Sequence, residues 1–289
     1  MTQLSDRGVA ARTPEVLELL AARPLVVLTG AGCSTDSGIP DYRGPQSKAR
    51  TPMTYQEFIS GPRAQQRYWA RSHLGWGRMR GAEPNAGHHA LARIDPELLI
   101  TQNVDGLHER AGSRRLVALH GRIAEVVCLS CRAISSRTAL HERLAELNPG
   151  FAERHRAADV RPDGDVDLDD TEDFVVAGCV GCGGVLKPHV VFFGENVPAD
   201  RVERCYAAVE RLSSTDGVLL VVGSSLTVMS GLRFVRRAAK AGTPVVIVNR
   251  GETRGDPLAT HRLEEGCSEF LGQLADVLRT RRPGGAAHR

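Results

Sequence analysis

Short unbroken apolar runs recur along the chain, separated by segments with helical spacing. Leu25-Val26-Val27-Leu28, Leu98-Leu99-Ile100, Leu116-Val117-Ala118-Leu119, Val218–Val222 and Val245–Val248 contain no polar alternation. Runs of this kind bounded by breakers predict strands covered on both faces, as in a parallel sheet. A helix precedes the first run: Thr13 is its N-cap, Pro14 its first residue, and Glu15 and Glu18 sit near the positive end of its dipole. Val16, Leu17, Leu19 and Leu20 give that helix an apolar side, and Arg23-Pro24 stops it. Helical patterns also fill 201–212 and 231–241. This alternation predicts an α/β fold, a doubly wound Rossmann-like parallel sheet whose ligand site lies at the carboxyl ends of its strands.

Two segments interrupt the alternation. Residues 46–95 carry five aromatics (Tyr55, Phe58, Tyr68, Trp69, Trp76), both tryptophans among them, and read as helical; residues 122–192 contain two C-x-x-C pairs and the acidic stretch 163–170. Both read as insertions that together form a smaller zinc-binding and helical domain. The sheet domain is then discontinuous, at 25–45, 96–121 and 193–280, after an N-terminal helix segment over 1–24. The acidic stretch lacks the terminal glutamate of a calcium loop and reads as a solvated loop. Residues 281–289 read as a disordered tail.

The 289 residues are 42% hydrophobic and 25% charged, an ordinary globular balance that excludes collagen-like and wholly disordered classes. No apolar stretch reaches the ~18 residues that span a bilayer, and the first 24 residues hold no apolar h-region, so a cytoplasmic protein without a membrane partner is expected. A formal charge of +3 gives no footprint for nucleic acid. A monomer is expected.

Three features carry chemistry. Cys128 and Cys131 with Cys179 and Cys182 form two knuckles that suit tetrahedral Zn²⁺; with sulfur in every position, the ion is structural and has no place for a reacting water. Gly30-Ala31-Gly32-Cys33-Ser34 follows the first buried strand, where glycine backbone N–H groups can approach a pyrophosphate. As a dinucleotide fingerprint it is incomplete, since Thr35 stands at the third glycine position. His120 closes the run Leu116–Leu119, where a strand meets the ligand crevice. In addition, Val190, Val191, Phe192, Phe193, Gly194 and Glu195 form an extended segment able to pair with a peptide backbone.

The stretch from Gly30 to Gly44 (GAGCSTDSGIPDYRG) resembles the nucleotide loop of the sirtuins, NAD-dependent protein deacylases. TQNVDGLH from Thr101, Leu119-His120-Gly121, the four cysteines, KPHVVFFGE from Lys187, Gly223-Ser224-Ser225-Leu226 and Val248-Asn249 resemble further blocks of that family, in family order. The long spacer between the cysteine pairs, together with RYWAR from Arg67 and Gly75-Trp76, resembles the class II branch.

The resemblance implies NAD and one structural zinc as cofactors and acyl-lysine proteins or peptides as substrates. It implies that Gly30, Ala31, Gly32, Ser34 and Arg43 hold the phosphates, that Tyr42 shields the reactive ribose face, and that Ile39 and Asp41 also contact the cofactor. Asn103 and Asp105 would hold the nicotinamide carboxamide; Gly223, Ser224, Ser225 and Asn249 would hold the adenosine side, with Cys267 near the adenine, and Gln102 and Gly251 are further implied cofactor contacts. His120 and Asn103 are the implied catalytic residues. As nicotinamide leaves, the acyl-amide oxygen captures the ribose carbon; His120, as general base, takes a ribose hydroxyl proton, and 2′-O-acyl-ADP-ribose is released.

Tyr68 and Arg71 are three apart on a predicted helix, and another sirtuin branch uses such a pair to hold an acyl carboxylate, so Arg71 is a candidate for selecting acidic acyl groups. The competing functions are protein mono-ADP-ribosyl transfer, removal of lipoyl or acidic acyl groups, and a non-catalytic NAD-sensing or nucleic-acid-binding zinc module.

Overall fold

The computed structural model describes residues 13–41, 52–155, 168 and 171–281. Tyr42, Arg43, most of the acidic stretch 163–170 and the tail after Arg281 lie outside these residues.

In chain order the helices are α1 (Thr13–Ala21), α2 (Tyr55–Phe58), α3 (Pro62–Gly81), α4 (Ala86–Ile94), α5 (Leu107–Arg110), α6 (Arg137–Leu147), α7 (Phe151–Arg154), α8 (Ala199–Ser214), α9 (Met229–Lys240) and α10 (Cys267–Arg281). The strands are β1 (Leu25–Thr29), β2 (Leu98–Thr101), β3 (Leu116–Ala118), β4 (Gly121–Cys128), β5 (Ile134–Ser136), β6 (Leu186–Val190), β7 (Val218–Val222), β8 (Val245–Val248) and β9 (His261–Leu263).

Six strands form one parallel sheet in the order β3-β2-β1-β7-β8-β9. Along the chain this is the 3-2-1-4-5-6 order of the Rossmann fold, with its switch point between β1 and β7. The buried runs explain the central strands: every residue of β1, β2, β7 and β8 is buried. On one face Val27, Leu99, Leu220 and Val246 pack under α1, α4 and α10; on the other, Val26, Ile100, Leu219 and Ile247 pack under α8 and α9. Each such side chain contributes about 1.5–3 kcal/mol of transfer free energy. The edge strand β9 (His-Arg-Leu) has no apolar run and is held by the β8 backbone, pairing Val248 with Leu263.

A second, antiparallel sheet, β5-β4-β6, forms the smaller unit. Its core joins Phe58, Tyr68 and Trp69 to Leu140, Leu144, Phe151, Phe174 and Leu186. Arg137 at the start of α6 is wholly buried there. Its guanidinium carbon lies 5.2 Å from the Trp69 ring centre and 4.9 Å from that of Trp76, and its Nη2 donates to Ser72 O at 3.0 Å. Two aromatic faces thus supply part of what water would give the cation; burial still lowers its pKa to about 10.

The helical segment 46–95 does not stay together. The Trp-bearing α3 packs in the small unit, whereas Ala90, Leu91 and Ile94 of α4 enter the core beneath the large sheet. The cause is local: Asn85 caps α4 with a capping box, setting it apart from α3, and its apolar side meets α10.

Candidate active site

A cavity of about 630 Å³ opens at the switch point. Its polar end is made from strand ends. Gly30 N donates to Val222 O and Gly32 N to Gly223 O, so the loops after β1 and β7 lie against each other. A Cβ on Gly30 would come 2.8 Å from Gly223 O; one on Gly223, whose φ is +63°, would come 2.6 Å from Cys33 N and 2.8 Å from Cys267 Sγ. Only glycine fits either place.

The loops after β1 and β2 are joined by one polar network. Ser34 Oγ donates to Asp105 Oδ2 at 2.7 Å, and Asn103 Nδ2 donates to Ser34 Oγ and to Gly30 O, both at 3.0 Å. Burial raises the Asp105 pKa, against hydrogen bonds from Leu107 N and Ser34. Gln102 Oε1 accepts from Ser224 Oγ at 2.7 Å and ties β2 to β7. Asn249 Nδ2 donates to the carbonyls of Arg250 and Gly251.

His120 stands beside this end. Its Nδ1 lies 2.8 Å from Gln102 O and its Nε2 lies 2.8 Å from Ser230 Oγ on α9. A carbonyl oxygen only accepts, so Nδ1 carries the hydrogen and Nε2 presents its lone pair. Burial first, then the Arg201 and Arg233 charges, lower the His120 pKa to about 4, against the Gln102 carbonyl. The ring is therefore neutral and competent as a base at neutral pH.

The other end of the cavity is apolar, with Ile39, Tyr68, Met79, Val104, Ile123 and Val190 in its wall. Val191–Glu195 also lines the cavity. Val191 N donates to His120 O and Tyr55 N to Phe193 O. The buried Lys187 clamps the same segment: Nζ donates to Val190 O at 2.5 Å and pairs with Glu195 at 3.0 Å, while Phe192 N donates to Glu195 Oε2 at 2.9 Å.

The cavity wall thus brings together Gly30, Ala31, Gly32, Ser34, Ile39, Asp41, Gln102, Asn103, Asp105, His120, Gly223, Ser224, Ser225, Asn249 and Gly251 with Tyr68 and 190–195. Cys267 stands just behind the wall, against Gly223. Arg71 is not brought to the wall: its Nε and Nη2 donate to Leu168 O at 2.8 and 2.6 Å. Helical spacing places Tyr68 and Arg71 on neighbouring positions but does not say where a long side chain turns. Ser230 and Arg233 of α9, and Arg250 and Glu252 after β8, also line the cavity and were missed. Their one sequence signal is that they follow strands ending at the crevice.

The four cysteine sulfurs lie within 4.8 Å of one another. Cys128 Sγ and Cys182 Sγ are 3.6 Å apart, Cys131 Sγ and Cys179 Sγ 3.8 Å. A tetrahedron with Zn–S bonds of about 2.3 Å has edges of roughly 3.8 Å, so the set fits one structural zinc.

The Sir2 family model matches residues 30–230. An "NAD-dependent protein deacetylase 1" of Mycobacterium avium is 54% identical over 93% of this chain and 96% of its own length. One of the same name from Streptomyces coelicolor is 55% identical over 91% of this chain and 89% of its own. The chain belongs to the Sir2 family. Among solved Sir2 structures, a Sir2–p53 peptide–NAD⁺ complex aligns with a TM-score of 0.71 and 31% identity, over 92% of this chain and 98% of that one. A Sir2 homologue–NAD complex gives 0.69 and 29% identity, over 93% and 94%. Among the described residues no helix is long and apolar enough to cross a membrane.

Proposed function

We propose that this chain is an NAD-dependent protein-lysine deacylase of the class II branch that acts on uncharged acyl groups. NAD supplies the ribose that accepts the acyl group and the nicotinamide that leaves. The strand-end loops at Gly30–Ser34 and Gly223–Ser225 receive its phosphates and adenosine side, and Asn103 and Asp105 hold the nicotinamide side. The acyl-lysine enters along Val190–Glu195 with its acyl chain at the apolar end. His120, neutral and with no proton on Nε2, takes the ribose hydroxyl proton.

The observation that carries this reading is the position of that basic nitrogen, in one cavity with a polar end of strand termini and an apolar end. An uncharged acyl group is supported by the wall at the apolar end and by the engagement of Arg71 with Leu168 O. The class II reading is supported by RYWAR from Arg67, whose Trp69 packs against the Arg137 guanidinium. A monomer is part of the same reading, and sedimentation tests it.

The test is mass spectrometry of products from NAD and acetyl-lysine peptide, with wild type and His120→Ala. Wild type should release nicotinamide and acyl-ADP-ribose. The variant should lose at least about 10²-fold in turnover with NAD binding and zinc content unchanged. Unaltered turnover in the variant would remove His120 as base; NAD label retained on protein would favour ADP-ribosyl transfer.

A further inference from the structure

Ser230 is the second residue of α9 and is buried at the cavity wall. The N-cap of α9 is Val228, and no side chain caps the helix. The Ser230 hydroxyl lies 2.8 Å from His120 Nε2, across 110 residues of sequence. The approach is built in: Gly231 follows, and a Cβ there would stand 2.7 Å from Gln102 Nε2, so α9 can dock directly on the residue whose carbonyl holds Nδ1.

We propose that Ser230 is a positioning residue for the base: it holds Nε2 of His120 toward the ribose site and gives that nitrogen up when a ribose hydroxyl arrives. This inference rests on the deacylase reading. The imidazole is fixed at two points, Nδ1–H on Gln102 O and Nε2 on Ser230 Oγ. With the first alone, the ring can swing about that one bond. A hydroxyl is both donor and acceptor, so it suits Nε2 before and after the proton moves. In the step itself the ribose O–H bond breaks, its proton forms the Nε2–H bond, and the ribose oxygen keeps the electron pair for attack on the acyl carbon. Ser230 keeps its own proton, and its O–H swings away from Nε2 as the ribose hydroxyl takes its place. Once the proton from the ribose hydroxyl sits on Nε2, Ser230 Oγ can accept from it.

The role separates two partial reactions. Nicotinamide exchange precedes use of the base, whereas acyl transfer needs it. Ser230→Ala should keep exchange of labelled nicotinamide within about twofold of wild type and slow deacylation about tenfold, the scale of one lost hydrogen bond. Ser230→Thr, which retains the hydroxyl, should recover most of that rate. In the ligand-free protein, the ¹⁵N resonance of His120 Nε2 should move in the alanine variant toward that of an unbonded lone-pair nitrogen, and return with threonine. Equal loss of exchange and deacylation, wild-type deacylation in the alanine variant, an unmoved Nε2 resonance or a threonine variant as slow as alanine would each overturn the proposal. His120→Ala in the same assays keeps the two readings apart. If it is inactive while Ser230→Ala is normal, only this inference falls; if it deacylates normally, the base assignment itself is wrong.

Discussion

The dinucleotide end and the small zinc unit are built in opposite ways. At the first, backbone does the work: strand ends, N–H groups and two loops so close that Gly30 and Gly223 have no room for a Cβ. In the second, side chains do: four thiols, the Trp69–Arg137–Trp76 stack and an aromatic cluster of Phe58, Tyr68 and Phe192. A region made of backbone fails when an atom is added, and a region made of side chains fails when one is removed.

The largest expected effect is a removal. Cys131→Ser, or chelation of the wild type, should release one equivalent of zinc, abolish deacylation and expose the Trp69 and Trp76 fluorescence to solvent. Structural zinc contributes on the order of 10 kcal/mol in small metal modules. Near-UV circular dichroism and metal analysis check it, and full activity in zinc-free protein would mean that the aromatic core holds the unit alone.

The matching addition is Gly223→Ala. Its φ of +63° costs a residue with a Cβ about 1–2 kcal/mol, and displacing Cys33 N and Cys267 Sγ costs about 1–3 more. The expected result is a KM for NAD raised at least about tenfold, with the peptide KM little changed and zinc retained. A variant with wild-type NAD kinetics would show that the two loops can part freely.

Acid should strike both regions through buried imidazoles. His88 and His108, rings 4.6 Å apart, lie beneath the nucleotide loop, where His108 Nε2 is 3.0 Å from Thr29 Oγ1. Their pKa values are lowered to about 4 and about 3, by burial first and then by neighbouring imidazole charge. In the small unit His73 stacks on His141 at 4.4 Å and is lowered to about 4, again mainly by burial. The unfolded chain takes up these protons below about pH 6.5 and the folded one does not, so stability falls as pH drops from there toward the folded values. By pH 5 each group costs on the order of 1–2 kcal/mol, together a large share of the 5–15 kcal/mol that holds an ordinary domain folded. Denaturant midpoints at pH 7, 6 and 5 should fall in step, and a flat series would mean that these rings protonate without unfolding.

What could be read beforehand follows the same division. The central strands are legible because burial on both faces writes itself as Val, Leu and Ile runs, and the cysteine knuckles because metal ligation needs fixed spacing. The edge strand β9 is not, since its partner is backbone. The packing of α4 under the large sheet was hidden, because an apolar helix face does not name its partner. Gly30 and Gly223 stood out at strand ends, whereas Ser230 and Lys187 depend on contacts that only the folded chain makes.

The smallest expected effect concerns Arg71, where the helix pattern and the folded side chain part company. The guanidinium donates twice to Leu168 O, which ties that residue to α3. Arg71→Ala should therefore lower the rates on acetyl-, glutaryl- and lipoyl-lysine peptides together, each by less than about threefold, with Tm down by roughly 2–4 °C for the ~1 kcal/mol of hydrogen bonding lost. A deficit confined to the glutaryl peptide would instead place the cation on the acyl carboxylate during turnover. That outcome would require Arg71 to exchange Leu168 O for substrate, and the apolar end of the cavity would then acquire its charge only when the acyl-lysine is bound.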